Sequence, residues 1–173
     1  MCSSDLGRGA ALAWLPQATI LFDRARLRRS IDVEVAPDAR LLLAEGIVFG
    51  RSAMGETVTR GHFSDHWRVR RDGKLVFAES LRLDGAIAQR LAERAVAGGG
   101  VAVASVLKLP GDENDVAAVR AMTSDFVGEV GVSTWNGLAV ARLVAPAGAA
   151  LHHDLIGVLT ALSDAPLPRL WLN

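Results

Sequence analysis

The chain has 173 residues, 50% of them hydrophobic, and its mean hydropathy is +0.26. Such a composition supports one sizeable core and excludes a disordered chain. The 19 basic and 19 acidic residues cancel, which argues against nucleic acid or an anionic membrane as the main partner. Cys2 is the one cysteine, so a disulfide framework and a cysteine-ligated zinc site are excluded and a reducing cytoplasm is the expected setting.

The first residues, MCSSDLG (1–7), are small and polar and show no periodicity, yet they lead directly into apolar sequence of mid-domain character. We therefore treat residues 1–7 as a non-native or artefactual segment. Residues 8–173 are then a single β-rich domain that is truncated at its N-terminus.

Two strand patterns follow. Over 27–35 apolar residues alternate with acidic ones, which is typical of a strand buried on one face. Over 41–49 the sequence LLLAEGIVF is apolar almost throughout, which predicts a strand covered on both faces. Gly46 within it predicts a bulge or a close approach of another part of the chain.

Two more strands surround the turn Arg71-Asp72-Gly73. A two-residue and a three-residue loop are both possible. We favour the three-residue loop, because it pairs Trp67 with Phe77 and gathers the large apolar side chains on one face. In that register Asp65 lies opposite Glu79, so two carboxylates face each other on an apolar surface.

The second half of the chain adds helices to the strands. Apolar spacing of three and four residues predicts helices, and an Asn-Gly pair predicts a tight hairpin. The predicted elements are a short helix from Ile87 to Ala95, a strand over 101–109, a helix over 112–122, strands 130–134 and 138–144 around Asn136-Gly137, and a final helix over 151–162. The expected fold is mainly β, with stacked β-sheets (β-helix-like or sandwich) and about two α-helices, one near the C-terminus.

The stretch HFSDH (62–66) contains a candidate metal-binding pair. Along a strand, residues four apart are separated by about 13 Å, since each residue rises about 3.3 Å. One ion with bonds of about 2 Å does not span that distance, so His62 and His66 are predicted to lie together on the face opposite Trp67. A metal-dependent hydrolase using His62, Asp65 and His66 stays as an alternative, which requires those side chains to converge within about 5 Å.

Asp65 and Glu79 allow two interpretations. Like charges directly opposite each other are unfavourable. Either Arg68, Arg70 or Arg82 from a neighbouring strand therefore neutralises the two carboxylates, or the face that carries them is solvated. Alternatively, the two carboxylates form a polar step in an ion path or part of a docking surface.

The remaining polar runs predict no active site. The sequence HHD (152–154) lies in the first turn of the last predicted helix, where the negative charge of Asp154 interacts favourably with the helix dipole. It predicts a helix start that is exposed to solvent. Ser52 lacks the Gly-x-Ser-x-Gly pattern, and the glycines at 98–100 are not followed by the Lys-Ser/Thr of a phosphate loop. We assign no catalytic residue and expect no enzyme.

Several sequence blocks together resemble the urease accessory protein family UreD, also called UreH. The blocks are WLPQATILFDRARL (14–27), FGRSAMGE (49–56), DHWRVRRDGKL (65–75), LRLDG (81–85), WNGLAVARLVAP (135–146) and LPRLW (167–171). They occur in the order that the family shows. The resemblance covers nearly all of residues 11–173 and matches the middle and C-terminal part of the family.

This resemblance implies a mostly β, non-enzymatic protein of the cytoplasm that binds apo-urease and UreF- and UreG-like accessory proteins. It also implies nickel as a transient cargo on its way to the urease active site, with no tightly bound cofactor. A divalent ion in transit needs weak, separated oxygen ligands, and Asp65, Glu79 and Glu45 are the candidates. A generic β-sandwich binding module is the remaining alternative.

Overall fold

Two β-sheets and a helical layer are stacked in the computed structural model, which describes residues 2–51 and 54–172. Ser52 lies outside the described residues. The strands are β1 (Cys2–Leu6), β2 (Ala11–Trp14), β3 (Thr19–Leu21), β4 (Arg26–Val35), β5 (Arg40–Phe49), β6 (Gly61–Arg71), β7 (Lys74–Gly85), β8 (Ala102–Leu109), β9 (Glu129–Trp135) and β10 (Leu138–Ala145). The helices are α1 (Ile87–Ala92), α2 (Glu113–Arg120) and α3 (Gly148–Leu162). The predicted fold class is confirmed.

The outer sheet has the strand order β1-β4-β6-β7. Its strand β4 is parallel to both β1 and β6, whereas β6 and β7 form an antiparallel hairpin. Odd-numbered residues of β4 and β6 point inward, which explains the alternation over 27–35, and even-numbered residues point away from the rest of the protein.

The central sheet has the order β2-β5-β8-β10-β9, with β3 also paired to β5. Strand β5 is buried along nearly its whole length, because one face packs on the outer sheet and the other on α3. The predicted two-sided strand is therefore confirmed. A Cβ on Gly46 would lie 3.2 Å from the Ala18 Cβ and 3.5 Å from the Leu155 Cδ1. The pairing of β5 with β8 is not shifted there, so this glycine marks a close approach and not a bulge.

The β6–β7 hairpin differs from the prediction in its loop. Asp72 and Gly73 have φ values of 54° and 71°, so they form a two-residue turn that requires left-handed backbone. The pairing then shifts by one residue, and Val76 is left over as a bulge. The bulge returns the apolar residues of β7 to the inner face, which a three-residue loop was expected to do.

The predicted carboxylate pair is consequently wrong. Asp65 lies opposite Leu81, and Glu79 lies opposite Trp67. The two carboxylates are diagonal neighbours on the inner face of the outer sheet.

Helices α2 and α3 cover the central sheet on the side away from the outer sheet. The five apolar residues that predicted α3 are all buried: Leu151, Leu155, Val158, Leu159 and Leu162. Asn136 and Gly137 take φ values of 52° and 72°, which confirms the tight β9–β10 hairpin. Within the part of the chain that the structure describes, no helix is long and apolar enough to cross a membrane.

The N-terminal segment takes part in the fold. Cys2–Leu6 forms β1 at one edge of the outer sheet, and Leu6 is buried between the sheets. Residues 2–6 are therefore part of the outer sheet, whereas the predicted domain begins at residue 8. The non-native origin of the segment and the domain division stay predictions.

Candidate functional site: a charged cavity between the sheets

A cavity of about 340 Å³ lies between the outer and central sheets. All three carboxylates predicted to contact nickel, Glu45, Asp65 and Glu79, line it. Two arginines, Arg29 and Arg142, line it as well. We call this space, with those five side chains, the charged cavity.

Strand register explains why these side chains meet. Arg29 and Asp65 are direct neighbours in the parallel β4–β6 pair, and both lie in the inward phase of their strands. On the central sheet, Glu45 lies beside Ser105, and Ser105 lies beside Arg142. One polar row of the central sheet thus faces a polar row of the outer sheet.

Arg29 holds two buried carboxylates at once. Its Nε donates to Oδ1 of Asp65 at 3.1 Å and its Nη2 to Oδ2 at 2.5 Å, while its Nη1 bonds Oε2 of Glu45. The remaining donors are indoles, since Trp67 Nε1 donates to Asp65 and Trp14 Nε1 to Glu45, each at 3.0 Å. Glu45 and Asp65 are each 7% exposed, so this network is nearly dry.

Glu79 is held by different partners. The Ser105 hydroxyl donates to Oε1 at 2.7 Å, and Arg142 donates to Oε2 from Nε at 3.0 Å and from Nη2 at 2.5 Å. The side chain of Arg142 is 55% exposed, compared with 17% for Arg29. The Glu79 pair is therefore nearer to solvent and is screened more strongly.

The electrostatics of the cavity leave it slightly acidic. Three carboxylates against two guanidiniums leave one negative charge when all five groups are ionised. Burial raises the pKa of Glu45 above its ordinary value of 4.5, although the Trp14 hydrogen bond and the charge of Arg29 oppose that rise. Burial therefore favours the protonated form of Glu45.

Sequence reasoning missed the arginines that neutralise these groups. Arg68 and Arg70 of β6 and Arg82 of β7, which were expected to do so, lie in the outward phase of their strands. Arg29 does so instead, and the available signal was its position in phase with the inward Ile31 on β4. Within residues 2–51 and 54–172, no group of three or more His, Cys, Asp and Glu side chains is placed to hold a metal ion.

The histidines of HFSDH do not assemble with Asp65. Both lie on the outward face of β6, where His62 Nδ1 is 3.2 Å from Oδ1 of Asp84 and His66 Nε2 is 2.9 Å from Oγ of Ser64. Asp65 points to the opposite side of the sheet. The predicted placement of both histidines on the face opposite Trp67 is confirmed, and the hydrolase site of His62, Asp65 and His66 is not formed.

The HHD run lies in the second turn of α3. Asp154 is 1% exposed, and its carboxylate accepts the backbone N–H groups of Val127 and Gly128, both at 2.8 Å. The predicted solvated helix start is therefore wrong for this residue. His152 stacks on Trp171 with ring centroids 5.5 Å apart, and Trp171 Nε1 donates to the Leu15 carbonyl at 3.0 Å.

These observations define a class of protein. It is a two-sheet β protein in which the described charged groups of the interior are held in ion pairs and structural hydrogen bonds. The family model described as "UreD urease accessory protein" matches residues 2–172. The chain belongs to the UreD family of urease accessory proteins, whose description names an accessory protein and not an enzyme.

Named relatives agree with the family match. The chain is 55% identical over 164 residues to a urease accessory protein UreD of Rhodopseudomonas palustris (strain BisB18), a match that covers 95% of this chain and 59% of the relative. It is 53% identical over 165 residues to UreD 3 of Bradyrhizobium sp. (strain BTAi1), with coverage of 95% and 59%. It is 52% identical over 168 residues to UreD of Bradyrhizobium diazoefficiens, with coverage of 97% and 60%. The chain thus spans about three fifths of the length of these relatives.

Proposed function

We propose that this protein acts in urease maturation in the cytoplasm, where it binds apo-urease and UreF- and UreG-like accessory proteins and helps nickel to reach the urease active site. The observation that carries the proposal is family membership, because the relatives at 52–55% identity are named urease accessory protein UreD. Nickel is cargo in this proposal and not a resident cofactor.

The charged cavity is the proposed contact point for the ion. Its carboxylates offer oxygen ligands that are weaker for nickel than imidazole. Each carboxylate already has a guanidinium partner, so an arriving cation competes with Arg29 or Arg142. That competition keeps binding weak and reversible, which is what an ion in transit requires. The proposed ligands for the passing ion are the carboxylates Glu45 and Asp65, which share Arg29, and the carboxylate Glu79, which is paired with Arg142.

The double substitution D65N/E79Q tests this role. Both changes keep the shape of the side chain and remove its charge. Co-expression of the variant with urease subunits and the accessory proteins should lower the nickel content of urease and its activity, while the thermal unfolding of the variant still shows a cooperative transition. E129Q, an exposed carboxylate on β9, is the control and should leave nickel loading unchanged. Wild-type activation by the folded double variant would contradict the role of the cavity.

Partner binding is tested separately. Affinity capture of this chain should co-purify apo-urease and the UreF- and UreG-like proteins, with and without nickel. Failure to capture any of them would favour a generic β-sandwich binding module over an accessory factor for urease.

A further inference from the structure

A patch with an excess of positive charge lies on the outward face of the outer sheet, bordered by Asp5 of β1, which lies beside Glu34, and by Leu75 of β7, which lies beside Arg70 and is 54% exposed. It consists of the even-numbered residues of β4 from Arg26 to Glu34, of β6 from His62 to Arg70 and of β7 from Ala78 to Asp84. These positions hold five arginines and two histidines but three carboxylates. We call this surface the arginine face.

The register of three strands places two arginines around a serine. Arg28 on β4 lies beside Ser64 on β6, and Ser64 lies beside Arg82 on β7. Since adjacent strands are about 4.8 Å apart, the Cα atoms of the two arginines are about 10 Å apart. Ser64 between them is 4% exposed, and its hydroxyl is 2.9 Å from His66 Nε2. The row therefore has a short, nearly covered side chain between two long cationic side chains.

The positive charge of this face is only partly neutralised. Asp84 is shared between Arg82 at 3.1 Å and His62 at 3.2 Å. In the described part of the chain, Arg26 and Arg28 have no carboxylate oxygen within 4.0 Å. Because the whole chain has a formal net charge of zero, the uncompensated charge here is local and not a general property of the protein.

We propose that the arginine face is a docking site for an acidic protein segment, one that places a carboxylate between Arg28 and Arg82. The planar guanidinium donates paired hydrogen bonds that match a carboxylate. The arginine face is exposed along β7 and at Arg26, Arg28 and Arg68, so an extended segment can lie along the strands. The balanced charge of the chain disfavours a nucleic acid or an anionic membrane as the occupant. This inference does not rest on nickel passing through the charged cavity.

The test uses a fluorescein-labelled octaglutamate peptide and the full 173-residue chain, with binding followed by fluorescence anisotropy. Binding should weaken as salt rises from low to physiological concentration, because the contacts are exposed and ionic. The double variant R28Q/R82Q should bind the peptide about tenfold more weakly or worse, since it loses two charge-assisted contacts.

The matched control removes two exposed arginines elsewhere, in R94Q/R120Q, and should change the peptide affinity by less than about twofold. An equal loss in both double variants, or no peptide binding at low salt, would overturn the proposal. So would tighter binding, through the same two arginines, of single-stranded DNA or of vesicles containing phosphatidylserine. All variants should keep the wild-type unfolding transition, because the substituted side chains lie on the surface.

Discussion

Arg29→Met tests whether one arginine neutralises the interior of the charged cavity. Arg29 contacts both Glu45 and Asp65, and methionine retains much of its unbranched apolar stem without the charge. The substitution therefore removes the counter-charge of two buried carboxylates while it keeps most of the packing.

The expected cost is large because both carboxylates are nearly dry. Removal of one partner of a buried ion pair costs about 3–5 kcal/mol in the free energy of unfolding. Here two carboxylates, each 7% exposed, lose the same partner, so we expect a cost in that range near neutral pH.

The cost should also depend on pH. Burial raises the pKa of Glu45 in the folded state. The contribution of protonated Glu45 to the free energy of unfolding is therefore fully present below about pH 4.5, its ordinary pKa, and is lost as pH rises through the raised folded pKa. The charge of Arg29 opposes this rise and the charge of Asp65 adds to it, so R29M should raise the pKa of Glu45 further. The variant should therefore lose more stability than the wild type between about pH 5 and about pH 7.

Urea unfolding followed by tryptophan fluorescence, at about pH 5 and about pH 7, measures this difference. R142M is the matched control, because the side chain of Arg142 is 55% exposed and its pair with Glu79 should contribute less than about 1 kcal/mol. A cost of R29M that is the same at both pH values, or no larger than that of R142M, would refute the inference that Arg29 neutralises a buried site.

Four further substitutions, two of them controls, test the packing around α3. D154A should lower the free energy of unfolding by about 1–3 kcal/mol, because the N–H groups of Val127 and Gly128 lose a charged acceptor, and D154N should lower it less. G128A should be at least as costly, since its new Cβ would lie 2.3 Å from the Val144 carbonyl oxygen. G131A, where a Cβ meets nothing within 4 Å, should change stability by less than about 1 kcal/mol. The same urea assay decides each case, and a harmless G128A or D154A would contradict the tight packing described here.

Local patterns predicted the elements that depend on local chemistry. The Asn136-Gly137 hairpin follows from two residues that tolerate positive φ, and α3 follows from apolar spacing alone. The burial of β5 on both faces could also be predicted from the sequence, because an uninterrupted apolar strand has to be covered on both faces.

The register of the β6–β7 pair could not be predicted from the sequence, although the turn residues were correctly located. Apolar matching favoured a three-residue loop, but Asp72-Gly73 formed the shorter turn and Val76 absorbed the extra residue as a bulge. The short turn with its bulge shifts the register by two residues relative to the three-residue loop, from Phe77 to Glu79 opposite Trp67, and so leaves the same side chains on the inner face. The pattern of hydrophobic residues therefore carries no information that separates the two solutions.

The charged cavity was predicted only in part. The sequence identified Glu45, Asp65 and Glu79 as carboxylates in apolar surroundings, but not the partner that joins two of them. Arg29 comes beside Asp65 through the parallel pairing of β4 with β6, which skips over β5 in the chain. Such a pairing is fixed by the packing of whole sheets, so no local window of the sequence specifies it.

Trp171 has a consequence for how this protein is made. Its indole reaches the carbonyl of Leu15, 156 positions away, and fills the core beneath α3. A ribosome that has just completed α3 therefore carries a chain in which the segment between β2 and β3 lacks its anchor. The contact between Trp171 and Leu15 can form only after residue 171 has left the ribosome, so this segment gains its C-terminal partner late in synthesis.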